Sequence, residues 1–315
     1  MQATNGDLYG TTQNGGSCEG GEGVGTIFKI TPAGAFTTLY GACPPAGQGA
    51  PLIQASDGDF YGLRGAGIHR GGSVFKYTPG GTPTTLYTFC TQPGCPDGES
   101  PLGLVQAEDG DWYGTTELGG ADCPLNLLGC GTVFKLTLSG VLTTLHTFCE
   151  GGGSCLDGGN PIGGLIIGSD GKLYGSASAG GPQGQGTIFA ITPDGKLTTV
   201  YDGLATSLIQ DTNGDFYGTA GPALSCGNTF RLSIGLDPFV NSLPTSGKIS
   251  TPVTILGSDL IGTTSVTFNG TPAAFAVNPT GSAILTTVPA GATTGKIKAV
   301  TAGGTISSIR PFRVP

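Results

Sequence analysis

This 315-residue sequence is poor in charged residues, which make up 11% of the chain, whereas about 25% is usual for a globular domain. The formal net charge is −8 and no basic block occurs. The chain therefore lacks the electrostatic footprint of a nucleic-acid-binding protein. No stretch reaches the roughly 18 apolar residues that a membrane span requires. We expect neither a nucleic-acid partner nor a membrane span, and helix signals are nearly absent as well.

The common catalytic signatures are missing too. The sequence contains no G-x-S-x-G elbow, no P-loop and no H-E-x-x-H motif. His146 replaces a tyrosine at a recurring strand position and His69 lies in a glycine-rich loop, so both are most simply structural or solvated residues. A glycosidase needs two facing carboxylates, and the acidic residues outside the hairpins are the candidates: Glu99, Glu117, Asp122, Glu150 and Asp157. We assign no catalytic or cofactor-binding residue and expect no enzyme; polysaccharide cleavage is the alternative.

Glycine and cysteine are what the sequence does contain in quantity. The 60 glycines and 22 prolines accompany 37% hydrophobic residues in regular strand-like runs, which indicates turns between many short strands. Six of the nine cysteines form close pairs in Gly/Pro/Asp-rich loops: Cys90 with Cys95, Cys123 with Cys130, and Cys149 with Cys155. Zinc sites favour C-x-x-C spacing and histidine, and both histidines lie outside these loops. We predict local disulfides, each contributing about 2 kcal/mol, and an oxidising compartment.

Three cysteines remain after this pairing: Cys18, Cys43 and Cys226. Because their number is odd, at least one thiol is unpaired or bonds another chain.

Residues 1–235 contain five copies of one unit. A hairpin motif recurs as NGDLYG at 5, DGDFYG at 57, DGDWYG at 109, DGKLYG at 170 and NGDFYG at 213. It is followed by GTIFKI, GSVFKY, GTVFKL, GTIFAI and GNTFRL, and then, in four units, by TTLY, TTLY, TTLH and TTVY. PLIQA, PLGLVQA, PIGGLIIG and SLIQD precede the last four hairpins. Four strand-like segments in each unit of about 40 to 60 residues predict propeller blades.

The second motif has the period of a strand. Two apolar residues lie two positions apart and so share one face, while a basic residue takes the other face in four units. The apolar pairs are Phe28/Ile30, Phe75/Tyr77, Phe134/Leu136, Phe189/Ile191 and Phe230/Leu232, and the basic residues are Lys29, Lys76, Lys135 and Arg231. This pattern predicts half-buried strands. A four-stranded sheet cannot bury both faces alone, so the units must stack as a propeller or solenoid.

The hairpin motif opens on Asn-Gly or Asp-Gly, which favours a type I′ turn with positive φ at both central residues. The predicted turns are Asn5–Gly6, Asp57–Gly58, Asp109–Gly110, Asp170–Gly171 and Asn213–Gly214. The next residue is Asp7, Asp59, Asp111, Lys172 or Asp215; calcium would need six to eight oxygens and is an alternative only. The next position is Leu8, Phe60, Trp112, Leu173 or Phe216, so we expect Trp112 to be a packing residue, with ligand contact as the alternative.

These motifs resemble a known tandem repeat. The segments TTLYTFC, DGESPLGLVQAEDGDWYGTTELGG and GTVFKLTLSG resemble the Gloeobacter/Verrucomicrobia (GloVer) repeat of bacterial proteins. The resemblance covers residues 1 to about 235 and implies a protein that is exported or attached to the cell surface. It supplies no catalytic residues. The first TFC position reads GAC in this chain, and the fifth unit is short.

Residues 236–315 have a different pattern of six or seven short strands, which predicts an immunoglobulin-like β-sandwich. The segments PTSG, VTILG, VTFNG and VPAGATTG resemble the IPT/TIG domain, which has an immunoglobulin-like fold and implies a spacer or partner-binding unit. Asn269–Gly270 is the hairpin corner within it.

We therefore predict an all-β chain with a propeller-like repeat domain of about five four-stranded blades at 1–235 and an immunoglobulin-like domain at 236–315. Strand counting leaves half a blade unpartnered. Either residues 236–244 complete it or the open edge pairs with another molecule and builds fibres. The expected function is that of a non-enzymatic extracellular or cell-surface structural or adhesion protein without a cofactor. Its expected partners are copies of itself, other surface proteins or glycans; a carbohydrate-binding propeller is the alternative.

Overall fold

The structure is a computed structural model that describes residues 1–12, 15–18, 21–22, 25–41, 51–55, 57–65, 71–120, 123, 128–150, 155–203, 205–220 and 227–315. The described residues form β-strands and turns and contain no helix, which confirms the predicted all-β class. Accordingly, none of them belongs to an apolar helix of membrane-spanning length.

The strands of the repeats form five sheets, one for each repeat. The first has the order β1-β4-β5 and is accompanied by the ribbon β2-β3; the next two have the orders β6-β7-β8-β9 and β10-β11-β12-β13. The strands of these three repeats are β1 (Leu8–Thr12), β2 (Ser17–Cys18), β3 (Gly21–Glu22), β4 (Thr26–Ile30), β5 (Phe36–Gly41), β6 (Ile53–Gln54), β7 (Phe60–Arg64), β8 (Ser73–Tyr77), β9 (Thr84–Thr88), β10 (Glu99–Gln106), β11 (Trp112–Leu118), β12 (Thr132–Leu136) and β13 (Leu142–Thr147).

The fourth sheet has the order β14-β16-β17-β18, with β15 also paired to β16, and the fifth has the order β19-β20-β21. Their strands are β14 (Gly159–Pro161), β15 (Ile166–Ile167), β16 (Leu173–Ala179), β17 (Thr187–Ile191), β18 (Leu197–Asp202), β19 (Ser207–Gln210), β20 (Phe216–Ala220) and β21 (Asn228–Leu232). The blade count and the closure of a ring stay predictions.

Two further four-stranded sheets follow, with orders β22-β23-β27-β26 and β25-β24-β28-β29. Their strands are β22 (Asn241–Leu243), β23 (Pro252–Leu256), β24 (Ser265–Phe268), β25 (Thr271–Pro272), β26 (Phe275–Val277), β27 (Ala283–Thr287), β28 (Ile297–Thr301) and β29 (Gly304–Ser307). In β28, Ile297 and Ala299 are buried while Lys298 and Val300 are exposed, so one face of this strand lies in the core and the other faces solvent. Residues from both sheets share one hydrophobic cluster that includes Ile255, Phe268, Ile284 and Phe312.

The structure does not support one of the two alternatives for the unfinished blade. Residues 236–244 could have completed it, but Asn241–Leu243 is β22 and pairs with β23 of the C-terminal sheet. The residue before β22, Val240, is buried in the hydrophobic cluster with Ile255 and Ile284, which holds this segment against the C-terminal sheet.

The chain divides into two compact units. The first comprises Met1–Ile166, Leu173–Leu208 and Thr219–Asn228, and the second comprises Ile167–Lys172, Ile209–Gly218 and Thr229–Pro315. Within the second unit, Ser169 Oγ donates to the carbonyl of Asp237 at 3.0 Å, and Thr212 and Ser258 share a hydrogen bond of 2.9 Å. The second unit thus contains the hairpin corners of the last two repeats together with the C-terminal strands. The domain boundary at 235/236 stays a prediction.

Within the first unit, consecutive repeats pack through the same aromatic positions. Tyr9 contacts Phe60 and Tyr61 contacts Trp112, with ring centroids 4.3 Å and 4.6 Å apart. A second series joins Phe89 to Phe134 and Phe148 to Phe189, at 5.0 Å and 5.2 Å. Each of these pairs links one repeat to the next, as the stacking argument requires.

This stacking makes the central strands of the third and fourth repeats, β12 and β17, more buried than expected. The sequence predicted half-buried strands, but the adjacent residues Val133 and Phe134 are both completely buried, and every residue of β17 is buried. A sheet with neighbours on both faces has no solvent face, so the alternating pattern underestimates its burial.

Candidate functional site

The hairpin corners are the most regular polar feature of the repeats. In the third repeat, the Gly110 amide donates to the carbonyl of Ala107 and the Ala107 amide to that of Asp111, both at 3.1 Å. The same pair of bonds occurs in all five repeats. Among the described corner residues, only the glycine has a positive φ, for example +84° at Gly110. The corners are thus type I turns followed by a glycine bulge, and the predicted type I′ geometry is wrong for them.

The reason is loop length. Three residues separate Ala107 from Asp111, and the aspartate side chain supports this longer turn, because Asp109 Oδ1 accepts the Asp111 amide at 3.1 Å. A two-residue connection exists at Asn269–Gly270, where Phe268 pairs with Thr271. There both residues have positive φ, +46° and +87°, as a type I′ turn requires.

The paired corner carboxylates are bound by a lysine of their own repeat. Lys135 Nζ lies 2.9 Å from Asp109 Oδ2 and 2.9 Å from Asp111 Oδ2, and Tyr113 Oη donates to Asp109 Oδ2 at 2.7 Å. The second repeat repeats this network with Lys76, Asp57, Asp59 and Tyr61. A lysine ammonium therefore occupies the position between the two carboxylates that a calcium ion would need.

This network shifts the pKa of its members. Burial and the hydrogen bond to its corner aspartate raise the pKa of Tyr61 and of Tyr113 to about 12. Burial opposes ionisation of Asp57 and Asp109, but the bonds from tyrosine, lysine and backbone amide outweigh it and lower the pKa of both carboxyls. The resulting state is an ionised carboxylate that holds a neutral phenol and a charged lysine.

The disulfide loops that connect neighbouring sheets form a second recurring site. Disulfides join Cys90 to Cys95, Cys123 to Cys130 and Cys149 to Cys155, which confirms the three predicted pairs. Such bonds persist in oxidising compartments. Cys43 and Cys226 lie outside the described residues, as does the side chain of Cys18.

An aspartate closes two of these loops. Asp97 accepts the Cys90 amide at 3.1 Å and the Tyr87 hydroxyl at 2.8 Å. In the next repeat, Asp157 Oδ2 accepts the Cys149 amide at 3.1 Å and lies 2.9 Å from His146 Nε2. Burial opposes ionisation of Asp157, but the bonds from His146 and the Cys149 amide lower its pKa overall. The histidine thus takes the place of the tyrosine of the preceding repeat.

Glutamines link the corners of successive repeats. Gln54 Nε2 donates to the Gly58 carbonyl of its own corner at 3.0 Å, and Gln54 Oε1 accepts the Thr4 amide of the preceding corner at 2.8 Å. Gln210 bonds Gly214 and Ser169 in the same way, at 3.0 Å and 2.9 Å. Both ends of one side chain therefore fix the spacing of two repeats.

The remaining candidates differ in burial and in their contacts. Trp112 is completely buried against Tyr61, and its Nε1 has no hydrogen-bond partner among the described residues. Glu99 is buried beside the Cys95 sulfur, whereas Glu117 and Glu150 are exposed. Asp157 is engaged in its loop. Asp122 and His69 lie outside the described residues.

Sequence reasoning missed one arrangement of sulfur atoms. The Sγ atoms of Cys130, Cys149 and Cys155 all lie within 4.8 Å of one another, so two predicted local disulfides are neighbours in space. Their sulfurs are disulfide-bonded and offer no thiolate to a metal. Reasoning also missed Asp97, the glutamines and the place of Asp157 in its disulfide loop. The signal that could have found them is the recurrence of C-x-D and of the glutamine ahead of the hairpin.

Comparison with known proteins identifies a repeat family. The family model described as the Gloeobacter/Verrucomicrobia repeat matches residues 1–156 and 91–235. No curated protein matches the chain. A fungal alcohol oxidase of the AA5 family in complex with copper is 16% identical, with a TM-score of 0.50 over 99% of this chain and 74% of that chain. This likeness concerns the fold alone.

Two other solved structures have lower TM-scores. The α-L-arabinanase of Penicillium chrysogenum is 12% identical, with a TM-score of 0.44 over 92% of this chain and 91% of that chain. The exo-β-1,3-galactanase of Clostridium thermocellum is 12% identical, with a TM-score of 0.35 over 85% and 74%.

Proposed function

This chain belongs to the Gloeobacter/Verrucomicrobia repeat family, and we propose that it is an exported, non-enzymatic structural or adhesion protein of the cell surface or extracellular space. The observation that carries the proposal is that the recurring polar groups bind one another. Asp109, Asp111, Tyr113 and Lys135 form one network, and the second repeat has the same network. A catalytic acid or base must instead be directed at a substrate proton. Groups that recur and are already bound within the repeat serve its architecture.

The rest of the chain suits this role. Disulfide-closed loops and contacts between repeats stabilise the fold outside the cell, where chaperones are absent. The C-terminal region, which resembles an IPT/TIG domain, serves as a spacer or partner-binding unit. The third strand of the fifth sheet, β21, has no fourth strand beside it among the described residues, unlike β8, β12 and β17. An uncovered strand edge favours self-association into fibres.

The location is tested by antibody labelling of intact and permeabilised cells that produce the protein. We expect equal labelling of both; a signal that requires permeabilisation would contradict export. Electron microscopy of the purified full-length chain then distinguishes single particles from polymers. Binding to a glycan panel would favour the carbohydrate-binding alternative, and release of sugars from polysaccharides would refute the non-enzymatic assignment.

A further inference from the structure

We propose that the third repeat carries a thiol–disulfide exchange site, at which the Cys123–Cys130 and Cys149–Cys155 disulfides exchange partners after a low-molecular-weight thiol attacks Cys123. The inference rests on sulfur positions and exposure and is independent of the proposed surface role.

The two disulfides are held against each other. The Sγ atom of Cys130 lies within 4.8 Å of both Cys149 Sγ and Cys155 Sγ, so it is adjacent to both sulfurs of the second disulfide. Backbone hydrogen bonds fix the two segments in this position. The Asn160 amide donates to the Cys130 carbonyl at 2.7 Å, and the Phe148 amide donates to the Gly131 carbonyl at 3.1 Å.

Exposure sets the order of attack. Cys130 is completely buried, and Cys149 and Cys155 are 4% and 7% exposed. Cys123 has intermediate exposure and is the accessible end of the cluster. Because exchange requires a thiolate to reach a disulfide sulfur, a thiol from solvent attacks Cys123 in preference to the other three.

The exchange conserves disulfide bonds. An external thiolate forms a bond to Cys123 Sγ, the Cys123–Cys130 bond breaks, and its electron pair leaves as a thiolate on Cys130. That thiolate attacks Cys149 or Cys155, and the other sulfur of this pair leaves as a thiolate and takes up a proton. The products are a mixed disulfide at Cys123, a cross-link from Cys130 and one free protein thiol. No net oxidant or reductant is consumed.

The second repeat provides a matched site without the exchange partner. Its Cys90–Cys95 disulfide is closed by Asp97 as Cys149–Cys155 is closed by Asp157. At the position of Cys130 it has Gly71, where a Cβ would lie 3.5 Å from the Cβ of Cys90. The same type of loop thus has glycine where the third repeat has a sulfur.

The test uses Cys123→Ser in the full chain, which leaves the thiol on Cys130. After folding, thiols are alkylated in denaturant and mapped by mass spectrometry. We expect most chains to carry Cys130 bonded to Cys149 or Cys155, with the alkyl group on the remaining cysteine and Cys90–Cys95 intact. Among the six cysteines of the three disulfide loops, alkylation of Cys130 alone, with Cys149–Cys155 intact, would overturn the proposal. Cys130→Ser is the control, in which the thiol must stay on Cys123.

A second measurement needs no variant. Wild-type protein is exposed briefly to reduced glutathione, quenched with acid and mapped. Glutathione on Cys123 together with a cross-link from Cys130 supports the site. Glutathione on Cys149 or Cys155, or adducts on Cys123 without the cross-link, refute it.

Discussion

Replacing Gly103 by alanine tests whether the third and fourth repeats are packed as closely as the structure shows. A Cβ at residue 103 would lie 2.5 Å from the Cα of Gly164, in the backbone of the next repeat. Carbon atoms make favourable contact at about 3.5–4.0 Å, so the two segments must separate by about 1 Å. Because the obstacle is backbone, no side-chain rotation relieves the contact.

The expected magnitude follows from two opposing terms. Overpacking of this kind costs about 1–3 kcal/mol, while alanine stabilises by about 0.4–1 kcal/mol through the entropy of the unfolded chain. Gly163→Ala is the matched control, because a Cβ at residue 163 has no atom within 4 Å and the Gly163 carbonyl still accepts the Thr115 hydroxyl. The control should therefore be neutral or slightly stabilising.

The assay is urea unfolding of both oxidised full-length variants, followed by far-UV circular dichroism. Gly103→Ala should have a free energy of unfolding lower than that of Gly163→Ala by about 1–3 kcal/mol. Equal stability of the two variants would show that the repeats do not meet at Gly103 and Gly164 and are not closely stacked there.

Three further outcomes follow from the same contacts. Burial and a neighbouring aspartate raise the pKa of Tyr61, Tyr87 and Tyr113 to about 12. Their contribution to the stability of the folded protein is therefore complete below pH 10 and is lost as the pH rises through 12. Tyrosine absorbance should show this late ionisation, and a single step near pH 10 would exclude it. Because the pKa of Asp157 is lowered, its contribution to the stability of the folded protein is present above the usual pKa of 3.8 and is lost as the pH falls through the folded-state pKa. The urea midpoints of wild type and Asp157→Asn should therefore converge in acid. A constant difference between the two midpoints from pH 7 to pH 2 would count against the loop contact. Trp112→Phe should change the free energy of unfolding by less than about 1 kcal/mol, because removing a buried N–H that has no hydrogen-bond partner among the described residues offsets the lost side-chain volume. Calorimetry that finds a loss above about 3 kcal/mol would contradict this expectation.

Local features of the fold could be predicted from the sequence, but their exact geometry could not. Asp109–Gly110 and Asn269–Gly270 are both corners, as the dipeptides indicate, yet the first closes a three-residue loop and the second a two-residue loop. The strand pairing on either side sets that length, and a dipeptide does not encode it. The disulfide pairs could be predicted because each pair spans only a few residues of one loop and does not depend on the pairing of the strands.

Features that depend on packing between repeats escaped prediction. The alternating pattern of β12 predicts one buried face, whereas Val133 and Phe134, which lie on opposite faces, are both completely buried. The same packing brings Cys130 next to Cys149, which is 19 residues away in the sequence. Spacing rules describe ligands within a loop, and they do not describe two loops that meet because two sheets stack.

Differences among the repeats separate architecture from added chemistry. The fourth repeat has Lys172 where the others have an acid and Ala190 where three have lysine, and Lys172 pairs with Asp170 at 2.9 Å. His146 likewise keeps the bond to aspartate that Tyr87 makes in the preceding repeat. At these positions the substituted residue still bonds an aspartate of its own repeat, as expected for contacts that stabilise each repeat. Cys130 stands at a position where the second repeat has Gly71, and the disulfide that it forms with Cys123 has no counterpart in the second repeat. A residue that adds a reactive group without a structural counterpart is where a function specific to this chain should be sought.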